Sequence, residues 1–245
     1  MTYDLIAFET PAALAEEVAC RLTRRVQEAA ARGESFRLAL SGGRISNDLF
    51  RALVALAADQ DVRNAWGCVE LFWVDERCVP PDHPDSNYRA ASEFLIVPLR
   101  ISPHRVHRLE GELEPAEAAE RASAELRAVV PQTDGELPIL DLILLGMGED
   151  GHVASLFPGA DLSVVASRLP FLEVVGPKPP PRRVTMSYAQ LAGGAAIWVL
   201  VAGQGKEIAL RNSLRGGEIT PLGTLLQRKS CTIFTSVGHD ERVAS

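Results

Sequence analysis

Short apolar runs that stop abruptly in glycine or charge, set between segments of helical periodicity, constrain this chain more than any other feature. "FRLAL" leads through Ser41 into Gly42 and Gly43, "VELFWV" runs into Asp75 and Glu76, "LDLILLG" into a loop of glycines and acids, and "AAIWVLVAG" into "QGK". Near-continuous apolar strands suit a sheet buried on both faces, whereas half-exposed strands alternate. Between them, "TPAALAEEVACRLTRRVQEAAARG" sets Leu14, Val18, Leu22 and Val26 at four-residue steps along one helical face. Thr10 is the expected N-cap, Pro11 fits the first turn, where an N–H is not needed, and Gly33 ends the helix. "SNDLFRALVALAADQ" with Ser46 as cap, "SNYRAASEFL", "EPAEAAERASAELRAVV" and "GKEIALRNSL" read as further helices, and "VELFWVDE", "PILDLILLGM", "RRVTMSY" and "CTIFTS" as strands. Strands alternating with helices predict an α/β fold with a mainly parallel sheet covered by helices on both faces. "GPKPPPRR" is the one linker-like stretch, but strand pattern resumes directly after it, so a single domain over residues 1–245 is the simpler expectation. In open sheets of this kind ligands bind beyond the carboxyl ends of the strands.

The net charge of −7 and pI near 5.3 argue against a general nucleic-acid surface, which needs clustered Lys and Arg. They leave room for a small anionic ligand, provided a few local cations overcome the repulsive overall field. The N-terminus lacks the basic start and apolar stretch of a signal peptide, and "AAIWVLVAG" is far short of the ~20 residues of a membrane-spanning helix. Cys20, Cys68, Cys78 and Cys231 show no C-x-x-C spacing. They are expected to be reduced thiols, mostly buried, in a cytoplasmic protein.

Four groups of residues carry candidate chemistry. "LSGGRISNDLF" offers glycines that let the backbone approach a ligand, the amides of a helix N-terminus, the Ser41 hydroxyl and the Arg44 charge; a tight turn would look the same. "WVDERCVPPDHPDSNYR" puts Asp75, Glu76 and Arg77 at a strand's end, either lining a crevice or forming a solvated local ion pair; Asp75, Glu76, Asp150 and His152 as a metal site lack close ligand spacing. In "GMGEDGHVASLFPG", Asp150 stands two residues before His152 and is placed to orient it as a general base; a structural or solvated imidazole is the plainer reading, and the one expected for His83, His104, His107 and His239. Lastly, "RRVTMSY" and "GQGKEIAL" supply Arg183 and Lys206, which would grip a phosphate or sit at the surface, with Arg182 facing away from Arg183 by strand alternation.

Together, "LSGG", "WVDERCVP", "SNYR", "GMGEDGHVASLFPG", "RVT" and "GQGK", in order over nearly the whole chain, resemble the 6-phosphogluconolactonase family. The resemblance implies a Rossmann-like fold shared with glucosamine-6-phosphate deaminases and ribose-phosphate isomerases. It also implies hydrolysis of 6-phospho-D-glucono-1,5-lactone to 6-phospho-D-gluconate in the oxidative pentose phosphate pathway. Carried onto this sequence, His152 is the base that activates water, with Asp150 and Arg77 beside it. Ser41, Gly42, Gly43, Arg183 and Lys206 hold the phosphate, and Asp75 and Glu76 are possible further members of the site. Where the family commonly continues Ser-Thr-Pro after the glycine pair, this chain has Arg44-Ile45-Ser46, so the threonine hydroxyl is missing and Arg44 and Ser46 are the candidates to compensate for it. No metal, cofactor, nucleic acid, membrane or obligate protein partner is implied, only a small phosphorylated sugar lactone. An aminosugar-phosphate deaminase is the nearest alternative, but there the loop typically runs to Asn-Glu-Pro, and Leu156-Phe157-Pro158 stands here instead. A sugar-phosphate sensor would need no base and would normally carry a DNA-binding segment, for which the sequence shows no helix-turn-helix pattern.

Overall fold

The computed structural model describes residues 2–132, 136–215 and 220–238, so the expectation for His239 lies outside the described residues. The chain runs β1 (Tyr3–Ala7), α1 (Pro11–Ala31), β2 (Phe36–Leu40), α2 (Arg44–Leu56), α3 (Gln60–Ala65), β3 (Val69–Trp73), β4 (Asp75–Arg77), α4 (Asn87–Ala91) and α5 (Val97–Leu99). It continues β5 (Val106–His107), α6 (Pro115–Val129), β6 (Leu142–Gly146), α7 (Leu162–Ala166), β7 (Phe171–Val175), β8 (Arg182–Met186), α8 (Tyr188–Gly193), β9 (Ile197–Val201), α9 (Glu207–Arg215), α10 (Pro221–Leu226) and β10 (Cys231–Thr235).

Seven strands form one parallel sheet in the order β1-β10-β9-β6-β2-β3-β5, flanked by helices. Its centre is apolar throughout: all five residues of β9 and the first four of β6 are buried, as a doubly covered sheet demands. Helix α1 forms as its periodicity predicts, with Leu14, Val18, Leu22 and Val26 at 0% exposure. Each such side chain stabilises the fold by roughly 1.5–3 kcal/mol through burial. The Thr10 hydroxyl accepts from Ala13 N–H at 3.1 Å, and Gly33 follows the helix end at φ 69°.

The second sheet was not foreseen. β4, β8 and β7 pair antiparallel, which moves "DER" and "RRVTM" out of the main sheet. "VELFWVDE" is therefore two strands that part at Val74. This residue joins the sheets, its N–H donating to Leu40 O at 2.9 Å and its carbonyl accepting from Met186 N–H at 2.7 Å. Of "GPKPPPRR", residues 176–181 form the connection between the paired strands β7 and β8, and Arg182 and Arg183 open β8 itself. Edge strands β1 and β5 and the short helices α3, α7, α8 and α10 also escaped the sequence reading.

Other expectations need correction too. Helix α2 begins at Arg44 with Gly43 as its N-cap; Ser46 lies inside the helix and its hydroxyl donates to Gly42 O at 3.1 Å instead of capping. Gly43 makes the earlier start possible, its φ of 109° turning the chain from strand to helix in one residue. The four cysteines are free, but only Cys231 is buried; Cys20 is exposed and Cys68 and Cys78 are half-buried. No helix among the described residues is long and apolar enough to cross a membrane.

Candidate active site

The sheet order puts β9, β6 and β2 side by side at its centre, and the chain leaves β2 toward β3 on one side and β6 toward β9 on the other. Such a reversal opens a crevice beyond the strand ends. Into it run the loop from Ser41 to Arg44 after β2, the loop carrying His152 after β6, and the turn to Lys206 after β9. The small sheet adds Asp75 and Arg77 from β4 and Arg183 from β8. Ser41, Gly42, Gly43, Arg44, Asp75, Arg77, His152, Arg183 and Lys206 all line one cleft of about 160 Å³. A larger hollow of about 920 Å³ lies beyond Phe157, but of the expected residues only Asp150 reaches it.

His152 Nδ1 lies 2.5 Å from Asp150 Oδ1, which also accepts the His152 backbone N–H at 3.1 Å. Burial pushes the Asp150 pKa up, but the hydrogen bond and charge interaction with His152 outweigh it, leaving the carboxyl below its usual value. With Asp150 ionised, the imidazole proton belongs on Nδ1, so Nε2 keeps the lone pair. The loop is shaped for this contact. A β-carbon on Gly148 would collide with the imidazole, and Gly148 N–H donates to His152 O at 2.9 Å. The Phe157 ring lies 4.8 Å from the imidazole centroid, and the Arg183 guanidinium carbon lies 5.5 Å from the Phe157 centroid. Phe157 thus forms a wall beside the histidine, at the position where the sequence sets an apolar ring in place of the deaminases' glutamate.

Two pairs of cations face the cleft. Arg183 is 6% exposed and tethered by backbone, with Nε donating to Pro180 O at 3.1 Å and Nη2 to Lys178 O at 3.3 Å. Burial lowers its pKa and Arg77 adds to the effect, while Asp75 opposes it. Arg77 donates one Nη to Asp85 O at 2.7 Å, and its buried Nε has no partner among the described residues. Lys206 is lowered by burial and then by Arg44, with Glu149 opposing. Helix α2 has no side-chain cap, so its first-turn amides open toward Arg44 and the cleft. Of the two candidates to replace a threonine hydroxyl, Arg44 lines the cleft, whereas Ser46 is turned inward to Gly42 O.

Arg182 behaves as strand alternation predicts, pointing away to pair with Glu114 at 2.6 Å. Glu76 does not join the site. It is 2% exposed, and its carboxylate accepts from the backbone N–H groups of Arg77, Asn87 and Tyr88 at 2.7–2.8 Å and from the Ser86 hydroxyl at 3.0 Å. Burial raises its pKa, and those donors oppose the rise. Its work is to anchor the start of α4 against β4. With Glu76 so engaged, no group of three His, Cys, Asp or Glu residues among the described residues could hold a metal. Asn87 and Ser155, which the sequence reading passed over, both approach Asp75.

Residues 9–234 match the family described as glucosamine-6-phosphate isomerases/6-phosphogluconolactonase. The chain is 37% identical over 220 residues to a probable 6-phosphogluconolactonase 3, chloroplastic, of Oryza sativa subsp. indica, covering 85% of this chain and 65% of that one. It therefore spans about two-thirds of that relative's length. It is 34% identical over 226 residues to the 6-phosphogluconolactonase of Streptomyces coelicolor, covering 89% and 85% of the two chains. The structure of the Trypanosoma brucei 6-phosphogluconolactonase superposes with a TM-score of 0.82 at 24% identity, over 99% of this chain and 98% of that one, a likeness of fold.

Proposed function

Because this chain belongs to the glucosamine-6-phosphate isomerase/6-phosphogluconolactonase family, we propose that it hydrolyses 6-phospho-D-glucono-1,5-lactone to 6-phospho-D-gluconate, as an enzyme of the oxidative pentose phosphate pathway in the cytoplasm. One observation carries the reading: an Asp150-oriented imidazole facing a cleft that also holds Arg44, Arg77, Arg183 and Lys206. A base next to a site for an anion is what a phosphorylated ester requires.

The phosphate is held by the open amides at the start of α2, the Ser41 hydroxyl, and Arg44, Arg183 and Lys206. Binding a dianion there relieves the repulsion between Arg44 and Lys206. The lactone carbonyl then lies toward His152, whose Nε2 takes a proton from water as the oxygen attacks. Negative charge collects on the carbonyl oxygen, and Arg77, fixed by Asp85 O, is the cation placed to stabilise it. Asp150 stabilises the imidazolium that forms. On collapse, the ring C–O bond breaks and the imidazolium returns the proton to the departing ring oxygen, leaving a carboxylic acid that ionises.

Aminosugar isomerisation, the other activity in the family description, is disfavoured by Phe157, an apolar ring beside His152 that cannot relay a proton. The test is a comparison of acid release from 6-phosphogluconolactone with ammonia release from glucosamine 6-phosphate. Lactone hydrolysis well above the spontaneous rate, without ammonia release, is expected. Ammonia release with no lactone hydrolysis above background would overturn the assignment.

A further inference from the structure

The small sheet ends in an unpartnered edge. β7 pairs only with β8, in the order β4-β8-β7. Gly176 N–H donates to Pro181 O at 2.7 Å and Ser187 N–H to Pro170 O at 3.0 Å, and these two bonds set the phase of the ladder between them. In an antiparallel pair, residues that exchange bonds alternate with residues whose N–H and C=O point the other way. Leu172 and Val174 therefore bond to β8, while Phe171, Glu173 and Val175 turn their main-chain groups outward. Helix α6 meets the first of these, the Ser123 hydroxyl accepting from Phe171 N–H at 3.2 Å. The outward groups of Glu173 and Val175 have no such partner among the described residues, and Val175 is 78% exposed. An edge of this kind is a template for another strand. Its surroundings are apolar: Leu162, Leu169 and Val175 are three of the six large apolar side chains that are at least half exposed among the described residues.

The edge lies in a recess. Glu173 and Val164 of α7 line both the hollow of about 920 Å³ beside Phe157 and a second one of about 700 Å³ against α6. A free extended segment can lie along such an edge, whereas β7 of a second copy sits in its own recess and cannot reach in. Charge narrows the choice further. In the larger hollow the one lining cation, Arg182, is engaged by Glu114 at 2.6 Å, and Asp150 is engaged by His152. Asp161 and Glu173, both exposed, remain as its open charges. On the opposite face of β7, Leu172 and Val174 are half-buried and apolar. We propose that the outer edge of β7 docks an extended segment of a partner protein, with basic residues alternating with apolar ones. Main-chain bonds to Glu173 and Val175 hold such a segment, and alternate side chains meet the acids on one face and the apolar wall on the other. The proposal stands apart from the hydrolytic reading, since neither residue lines the cleft of His152.

The probe is the peptide Lys-Val-Lys-Val-Lys-Val, blocked at both ends and titrated calorimetrically into the full chain, with Glu-Val-Glu-Val-Glu-Val as its control. Saturable binding of the basic peptide is expected, weakening with salt as an exposed charge contact does, with no binding of the acidic one. Amide exchange at Glu173 and Val175 should slow when the basic peptide binds. Val175→Pro removes one outward N–H and leaves the bonds to β8 in place, as proline on an edge strand can. It should weaken binding by roughly 2- to 10-fold, the scale of one backbone hydrogen bond. Glu173→Lys should reverse the preference between the two peptides. Circular dichroism checks that both variants keep their fold, and should Val175→Pro lose it, Glu173→Lys carries the comparison. Failure of the basic peptide to bind, equal affinity for both peptides, or an unchanged preference in Glu173→Lys would overturn the proposal. So would self-association of the chain that either substitution abolishes, since the edge would then belong to a second copy.

Discussion

Among single residues, the proposed chemistry depends on which groups stay charged and which stay free. Asp150 holds its proton less tightly than an ordinary carboxyl, so the interaction that orients His152 is fully present above about pH 4 and is lost only as pH falls through the lowered value. Asp150→Asn removes that charge and offers the imidazole an amide that can bind the wrong tautomer. Turnover should fall by ~10²–10⁴-fold with product affinity preserved, measured as kcat against the dissociation constant of 6-phosphogluconate. Near-normal kcat would show that His152 does not need its partner. Lys206 offers a second test. Burial and Arg44 depress its pKa, so its charge is lost at lower pH than that of a free lysine. Affinity for 6-phosphogluconate should weaken as pH rises toward 10.5, the ordinary lysine value, whereas Lys206→Arg should stay flat over the same range because a guanidinium remains charged. Parallel weakening in both proteins would take Lys206 out of phosphate binding. Much at this scale was legible in advance: the opposite facing of Arg182 and Arg183 follows from the two-residue strand period. Ser155 and Asn87 were not, since their importance comes from contacts to Asp75 across 80 and 12 residues of sequence.

At the scale of elements, the loop after β6 is built around one missing side chain. Gly148→Ala would place a methyl group where the imidazole lies, so His152 must turn away. A displacement of about 1 Å at a catalytic group costs on the order of 10²-fold in rate. The variant should keep its fold by circular dichroism while losing most of its kcat, and full activity would mean that the imidazole adapts. The far edge of the sheet carries a different device. His107 on β5 lies between Glu125 of α6 at 2.9 Å and Glu70 of β3 at 3.0 Å, with its ring stacked on Phe72. Burial lowers its pKa, but the two carboxylates win and raise it. The stabilisation is therefore fully present below pH 6.5, the ordinary imidazole value, and is lost as pH rises through the raised one. His107→Gln should lower the melting temperature more at pH 6 than at pH 9; an equal drop at both would mean that the carboxylates do not favour the charged ring. Long elements such as α1 were readable because periodicity and caps agree. The split at Val74 was not, because an apolar run ending in "DER" looks the same whether it stays in one sheet or crosses into another, and only the bonds from Val74 to Leu40 and Met186 decide. The misplaced start of α2 has a similar cause, since Ser46 suits a cap by residue type and Gly43 suits one by backbone freedom.

At the scale of the whole molecule, a chain of net charge −7 gathers four cations at one cleft, and the order of its strands explains how. β9, β6 and β2 end side by side at the point where the chain reverses direction across the sheet, so residues from 41 to 206 meet although far apart in sequence. The rule that ligands bind beyond strand carboxyl ends was enough to expect this for the loops after β2, β6 and β9. The same rule set Arg77 at the crevice, but it did not foresee that Arg77 and Arg183 arrive there on a second sheet, nor could it remove Glu76, whose carboxylate is consumed by the start of α4. In the proposed chemistry this assembly turns water into a nucleophile through His152. Its most direct test is the rate of acid release from 6-phosphogluconolactone at saturating substrate, corrected for spontaneous hydrolysis, in the unaltered protein and in His152→Ala. A fall in kcat of ~10²–10⁴-fold with 6-phosphogluconate still bound is expected; turnover by His152→Ala within a few-fold of the unaltered protein would remove the imidazole from the mechanism.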